Sequence, residues 1–268
     1  MKKFALMFII MSSLFSNMVF SAQEEVVFVG ALPDNAGTSY LDKDGYLTGY
    51  EVEVLREVDR RLPEYRFEYK TMDFASLFMG LGSRKLNVII GNIQWSKERE
   101  DKFLYTKEKY YATPYTLIVK GTENNLKSLS DINGKKIGVL GTGLQSPALD
   151  QYIEKNKFNV NVIRAKSTNE LIDLLVSGRA DGLLAPEFHG IVFNKYRNRD
   201  VKSVGKGIIP IGLSPSQVGA HLLLNKDDVK LRDRLDVVLA EMHKDGTLSK
   251  LSLEWFGRDF TVPFDVEG

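Results

Sequence analysis

The sequence predicts an α/β protein built as two lobes around mostly parallel sheets. Two observations carry that prediction. Short apolar runs alternate with segments of helical periodicity along almost the whole chain, as βαβ units require. The alternation then restarts: after an extended run near Tyr110, a second βαβ series begins at Lys136. With 268 residues, the chain has enough length for one or two domains with substantial cores.

The first segment reads as a leader rather than part of the fold. Lys2 and Lys3 make a positive start, and Phe4 to Phe15 is apolar apart from Ser12 and Ser13. Val19-Phe20-Ser21-Ala22 then offers small residues for cleavage after Ser21 or Ala22. Residues 1–22 are therefore expected to be a secretory signal peptide, and the mature protein to be exported, most simply into a periplasm. No later stretch approaches the roughly 20 apolar residues of a spanning helix, so no membrane insertion is expected after cleavage. The chain has no cysteine, which excludes disulfides, thiolate catalysis, cysteine-based metal sites and a lipid-anchored N-terminus.

The mature chain follows in order. Val26–Gly30 is a strand, and Ala31–Ser39 a loop holding Pro33, Asp34, Asn35 and Gly37. Asp42-Lys43-Asp44-Gly45 is a turn between two short hairpin strands within Tyr40–Tyr50. Glu51–Leu62 is a helix with Val54, Leu55, Val58 and Leu62 on one face. Arg66–Lys70 alternates as a strand, and Met72–Leu81 is a helix stopped by Gly82. Leu86–Ile90 reads as a fully buried strand. It runs into Gly91-Asn92-Ile93-Gln94-Trp95-Ser96-Lys97-Glu98-Arg99. Ser96 is a good N-cap, and Glu98 and Glu100 suit the positive end of a helix dipole. Arg99 then sits in the first turn, beyond the carboxyl end of a strand, where ligands of open α/β sheets lie. Its planar fork of donors suits a carboxylate.

Phe103–Thr106 and Tyr110–Val119 are extended, and Leu126–Ile132 is a short helix ended by Gly134. The strand Lys136–Leu140 leads through Gly141-Thr142-Gly143 to a helix with Pro147 at its first position, running to Lys155. Val160–Ala165 is a strand. Ser167-Thr168-Asn169-Glu170 is a capping box for a helix with Leu171, Leu174 and Leu175 inward and Gly178 as its stop. Ala180–Ala185 is a strand and Pro186–Tyr196 a helix. Lys202–Ile211 is irregular to extended, and Val218–Leu224 a strand. Asp227 or Asp228 caps a long helix to Lys244, and Thr247 caps a last one ending at Trp255-Phe256-Gly257.

Charges nearly cancel, at net +1, so nothing points to nucleic acid or an anionic membrane surface. His189, His221 and His243 have no ligand spacing, and no metal or cofactor is expected. No P-loop, GxSxG or GxGxxG stands in the right context.

Seven segments in fixed order make the mature chain resemble the extracytoplasmic solute-binding proteins of the amino-acid type, family 3, with the type II periplasmic-binding fold. They are Gly45–Val54, Asp73–Leu77, Leu86–Gly91, Trp95–Arg99, Gly134–Val139, Ser177–Asp181, and Asp245-Gly246-Thr247 through Trp255-Phe256-Gly257. The resemblance implies two lobes joined by two crossing strands. Residues 23–111 and 215–268 would form the first, and residues 112–214 the second. It implies a small carboxylate-bearing ligand, an amino acid or a relative, buried between the lobes by closure. A monomeric binding protein would then deliver it to the membrane permease of an ABC transporter.

The resemblance also names site residues. Arg99 would clamp the carboxylate, helped by backbone donors at Gln94. Gly91 and Asn92 would meet the amino group. Thr142, Gly143 and Leu144 fall near a second carboxylate-binding loop, and the choice among them stays open, with Thr142 the best chemical candidate. Phe74 would flank the ligand side chain, and Trp95 could line the cleft. The usual aspartate after the strand Ala180–Ala185 is replaced by Pro186. Glu187, Asp34 or a set of carbonyls would then have to receive the ammonium, since a buried unpartnered charge is costly. Tyr40 could supply an aromatic face. Catalysis is not expected. A sensory module, or a dehydratase on the same fold, are the other functions the resemblance allows.

Overall fold

The computed structural model describes residues 24–267 except 216, so the expected leader at residues 1–22 lies outside the described residues. β1 (Glu25–Ala31) covers the strand expected at Val26–Gly30 and pairs in parallel with β5 (Tyr65–Thr71), Val27 opposite Phe67. Between them lie a small hairpin sheet, β2 (Asp34–Asn35), β3 (Ser39–Leu41) and β4 (Leu47–Thr48), and helix α1 (Tyr50–Arg61). Val54, Leu55 and Val58 are fully buried on the inner face of α1. The next helix, α2 (Phe74–Gly82), starts later than its apolar pattern does, because the Asp73 side chain caps it by accepting from Ala75 and Ser76. β6 (Val88–Ile89) is parallel to β1 and shorter than the apolar run around it. Leu86 and Ile90 are buried outside its two-residue ladder.

α3 (Lys97–Lys102) begins at the expected cap, where Ser96 Oγ accepts from Arg99 N at 3.4 Å. β7 (Phe103–Tyr105) follows. The first sheet closes only with β13 (Leu223–Asn225), which inserts antiparallel between β6 and β7 and gives the order β5-β1-β6-β13-β7.

The second sheet has the order β10-β9-β11-β8-β12. β9 (Lys136–Leu140), β10 (Asn161–Ala165) and β11 (Gly182–Pro186) are parallel, with β8 (Tyr115–Lys120) and β12 (Val201–Ile208) antiparallel at one side. α4 (Gln145–Asn156), α5 (Thr168–Val176) and α6 (Phe188–Arg197) connect them. α7 (Val229–Lys244) and α8 (Thr247–Phe256) return to the first lobe and pack with α1.

Several boundaries differ from the expected ones for local reasons. α4 opens at Gln145, so Pro147 is its third residue, still within the turn whose N–H groups have no helical partner. Pro186 ends β11 opposite Tyr115 rather than opening α6. The segment 126–132 shortens to a 3-10 turn, Leu129–Asp131, held by a capping box between Ser128 and Asp131. Thr247 is the first residue of α8, after Gly246 at φ 79°. Asp228 occupies the cap position of α7 without a side-chain capping bond. The expected strand at 218–224 is mostly a crossing segment: Ala220 bridges both Gln94 and Tyr111, and only Leu223–Asn225 joins the sheet.

The two crossings thus run side by side, with Tyr110 N donating to Ala220 O at 3.0 Å and Ala220 N to Tyr111 O at 2.8 Å. Tyr50, Tyr111, Phe188 and Phe256 meet beside them, with ring centroids 5.0–6.2 Å apart. Residues of both lobes therefore share one apolar cluster at the crossing.

Candidate functional site

The chain leaving β6 turns through two unusual conformations, Gly91 at φ 142° and Asn92 at φ 53°. Glycine suits the first, and asparagine is among the residues that tolerate the left-handed region. The turn aims Asn92 N into the protein, where it donates to Glu51 Oε1 at 2.7 Å. The same oxygen accepts from Tyr110 Oη at 2.6 Å, and Tyr110 O accepts from Tyr50 Oη at 2.6 Å. Glu51 is fully buried. Burial raises its carboxyl above the ordinary range, partly offset by the bonds from Tyr110 and Asn92.

Beyond this turn Gln94 is buried and Arg99 half-buried. Arg99 Nη1 donates to Gln94 O at 3.0 Å, and Tyr105 Oη donates to the same carbonyl at 3.0 Å. The guanidinium lies over Phe78 and Phe74, 5.1 and 5.8 Å from their centroids. It forms no ion pair among the described residues. Stacking and one carbonyl bond thus fix the side chain while most of its donors stay uncommitted.

Across from it stands the second lobe. Thr142 and Gly143 end the turn after β9. A Cβ on Gly143 would lie 2.0 Å from Gln145 Oε1, so the Gln145 side chain folds over that glycine. Ser167 caps α5 by accepting from Glu170 N at 3.1 Å, and Lys166 and Thr168 flank it. Together the two faces enclose a cavity of about 190 Å³. Of the residues expected at the site, Phe74, Gly91, Asn92, Gln94, Arg99, Thr142 and Gly143 line it, as do Asp34 and Leu144.

Two expected residues lie elsewhere. Glu187, one residue past Pro186, turns away from the cavity and pairs with Arg258 on the outer side of the interlobe joint. Trp95 faces outward, its Nε1 donating to Glu100 Oε1 at 3.3 Å. Neighbouring side chains on extended backbone point to opposite sides, so a buried Gln94 sends Trp95 out. Tyr40 is also outside the cavity, 5.8 Å from the Tyr196 ring.

The cavity also holds residues that sequence reasoning passed over. His189 lines it from the first turn of α6 and is buried, stacked on Phe193 at 4.9 Å. Burial lowers its pKa to about 3, so the ring is neutral. Its place in the first turn of a helix, three residues after a strand end, was the signal available. Tyr115, Gln145, Lys166 and Ser167 line the cavity too. Glu51 acts from beneath it.

The lobes touch around the rim. Asn169 Nδ2 donates to Asp34 Oδ2 at 3.3 Å, Arg197 Nη2 to Asp34 O at 2.9 Å, and Tyr196 Oη to Trp255 O at 2.9 Å.

Known proteins align with this arrangement. The chain is 34% identical over 243 residues to the L-cystine-binding protein TcyJ of Bacillus subtilis, covering 89% of this chain and 87% of that protein. It is 32% identical over 238 residues to the L-cystine-binding protein TcyK of the same organism, covering 88% and 86%. The solved structure described as the "probable amino-acid ABC transporter extracellular-binding protein ytmK from Bacillus subtilis" superposes with a TM-score of 0.79 at 31% identity, over 88% of this chain and 99% of that one. An ancestral arginine-binding protein, 24% identical, shares the fold with a TM-score of 0.73 over 88% and 100%. Residues 27–258 match the family of bacterial extracellular solute-binding proteins, family 3, and the chain belongs to that family.

Proposed function

We propose that this protein captures an amino acid outside the cytoplasm and delivers it to the permease of an ABC importer. The carrying observation is Arg99: a guanidinium fixed by Gln94 O and two phenyl rings, free of protein carboxylates, and facing an interlobe cavity. A ligand α-carboxylate is the partner that its remaining donors suit. Thr142 and Gly143 line the same space from the second lobe, so a carboxylate gripped by Arg99 and by this loop favours closure. Lys166 adds a second cation on that side. This favours L-cystine, a dicarboxylate, as the ligand, in keeping with the names of the TcyJ and TcyK relatives. The reading includes the lobe boundaries expected above, a monomer, a leader cleaved near residues 21–22 and a periplasmic or equivalent extracytoplasmic location.

Calorimetry of the mature protein against L-cystine, the common L-amino acids and simple carboxylic acids tests it. Arg99→Ala should weaken the best ligand by about a hundredfold or more, since two charge-assisted bonds are lost. An affinity within twofold of wild type would overturn the carboxylate assignment. Conversion of the ligand during titration would overturn the binding role in favour of an enzyme.

A further inference from the structure

Three polar groups of the cavity wall are buried without a hydrogen-bond partner: Asn35 Oδ1, Gln94 Oε1 and both ring nitrogens of His189. Buried acceptors are normally satisfied, so three that line one ligand-sized space point to what fills it. The carboxylates of the wall are otherwise engaged. Asp73 caps α2, with Oδ1 accepting from Ala75 N and Ser76 N and Oδ2 from Ser76 Oγ. Asp34 is exposed and takes the Asn169 amide across the lobes. Glu187 pairs with Arg258 outside the cavity.

We propose that the ligand's ammonium is held by this neutral set, Asn35, Gln94 and His189, with His189 as the specificity-determining member, rather than by a carboxylate. The inference rests on the amino-acid reading above and deepens it. An ammonium has three N–H donors and no acceptor, which suits three acceptors contributed from both lobes. Asn35 and Gln94 belong to the first lobe and His189 to the second, so the ammonium, like the carboxylate, bridges the closure. His189 can serve because its ring is neutral and wedged: Phe193 stacks on one face and Phe188 meets it edge-on at 4.5 Å. The imidazole is thus pinned with a lone pair available.

The test uses two probes, L-cystine and dithiodipropionate, the same disulfide dicarboxylate without its ammonium groups. Calorimetry is run on the wild type, His189→Phe, His189→Gln and Asp34→Asn. His189→Phe should weaken L-cystine about tenfold or more and leave dithiodipropionate within about threefold, a difference no merely structural role would produce. His189→Gln, which keeps an acceptor, should recover part of the loss. Equal losses for both probes, or no loss for L-cystine, overturn the proposal. A selective loss in Asp34→Asn with none in His189→Phe overturns it as well, and assigns the ammonium to Asp34. If the wild type binds neither probe, the L-cystine assignment fails and this proposal falls with it; if Arg99→Ala binds both unchanged, the carboxylate clamp fails. A wild type that binds L-cystine with Arg99 needed and His189 irrelevant sinks only the neutral-acceptor proposal.

Discussion

Replacing Glu51 by alanine should unfold this protein at a much lower temperature, although Glu51 is not itself among the residues that line the cavity. The carboxylate is fully buried, and its Oε1 is the acceptor for both Asn92 N and Tyr110 Oη. Alanine orphans both donors. Each buried unsatisfied donor costs about 1–3 kcal/mol, so the pair costs about 2–6 kcal/mol before any cavity term. For a chain of this size that corresponds to a melting temperature lower by about 5–20 °C. Glu51→Gln keeps an oxygen for the donors and removes the charge, and should stay within about 4 °C of wild type. The two variants also separate by pH. Burial raises the native pKa of Glu51 above its unfolded value of about 4.3. The stability it contributes is fully present below that value and lost as pH rises through the native one. Glu51→Gln should therefore gain on wild type as pH is raised from about 4 to about 7. Scanning calorimetry at several pH values reads both effects. A Glu51→Ala protein that melts within about 2 °C of wild type would refute the claim that this carboxylate holds the turn.

Other outcomes follow from the same geometry. His189 and His221 are held neutral by burial, at about 3 and about 4, against about 6.5 unfolded. Their contribution is present above about pH 6.5 and is lost as pH falls toward the native values, at up to about 1.4 kcal/mol per pH unit each. Melting curves between about pH 7.5 and 4.5 should show that fall, reduced in His189→Phe. Arg258→Ala breaks a pair that is partly solvent-exposed on the arginine side, and should cost no more than about 1 kcal/mol by chemical denaturation and leave affinity within about fivefold. Lost binding there would return Glu187 to the cleft. Gly91→Ala places a Cβ on a residue at φ 142° and should cost about 1–3 kcal/mol in the same assay.

The architecture was legible because its signals are local. Ser96 and Ser167 sit at helix starts, and each cap is made by its own side chain. Arg99 was legible because a strand end, a cap and a first-turn arginine form one continuous stretch. The apolar pattern of 86–90 carried no such marker for how far the ladder extends, since burial and pairing leave the same signature in sequence. Glu187 misled for a different reason. Its chemistry suited the missing acid, but one residue of displacement past Pro186 sends the side chain to the opposite side. Glu51 was invisible as a participant because its partners, Asn92 and Tyr110, are 41 and 59 residues away, and nothing near His189 in sequence marks it as lining a cavity. A lone histidine in an apolar helix, or a lone glutamate beside a tyrosine, has no periodicity that reports what it will face.

The insertion of β13 between β6 and β7 has a consequence for how the polypeptide is made. Until residue 225 is available, the N-terminal sheet is missing an inner strand, and β6 presents an unpaired edge of main-chain donors and acceptors. The intervening sheet, by contrast, is contiguous from 115 to 208 and can complete itself first. Biogenesis is thereby ordered from the middle outward, and the interval before the last fifth emerges is when a holding chaperone matters most. Slow synthesis of that last fifth would lengthen the exposure; a circular permutant that brings 215–267 ahead of 24–111 would shorten it.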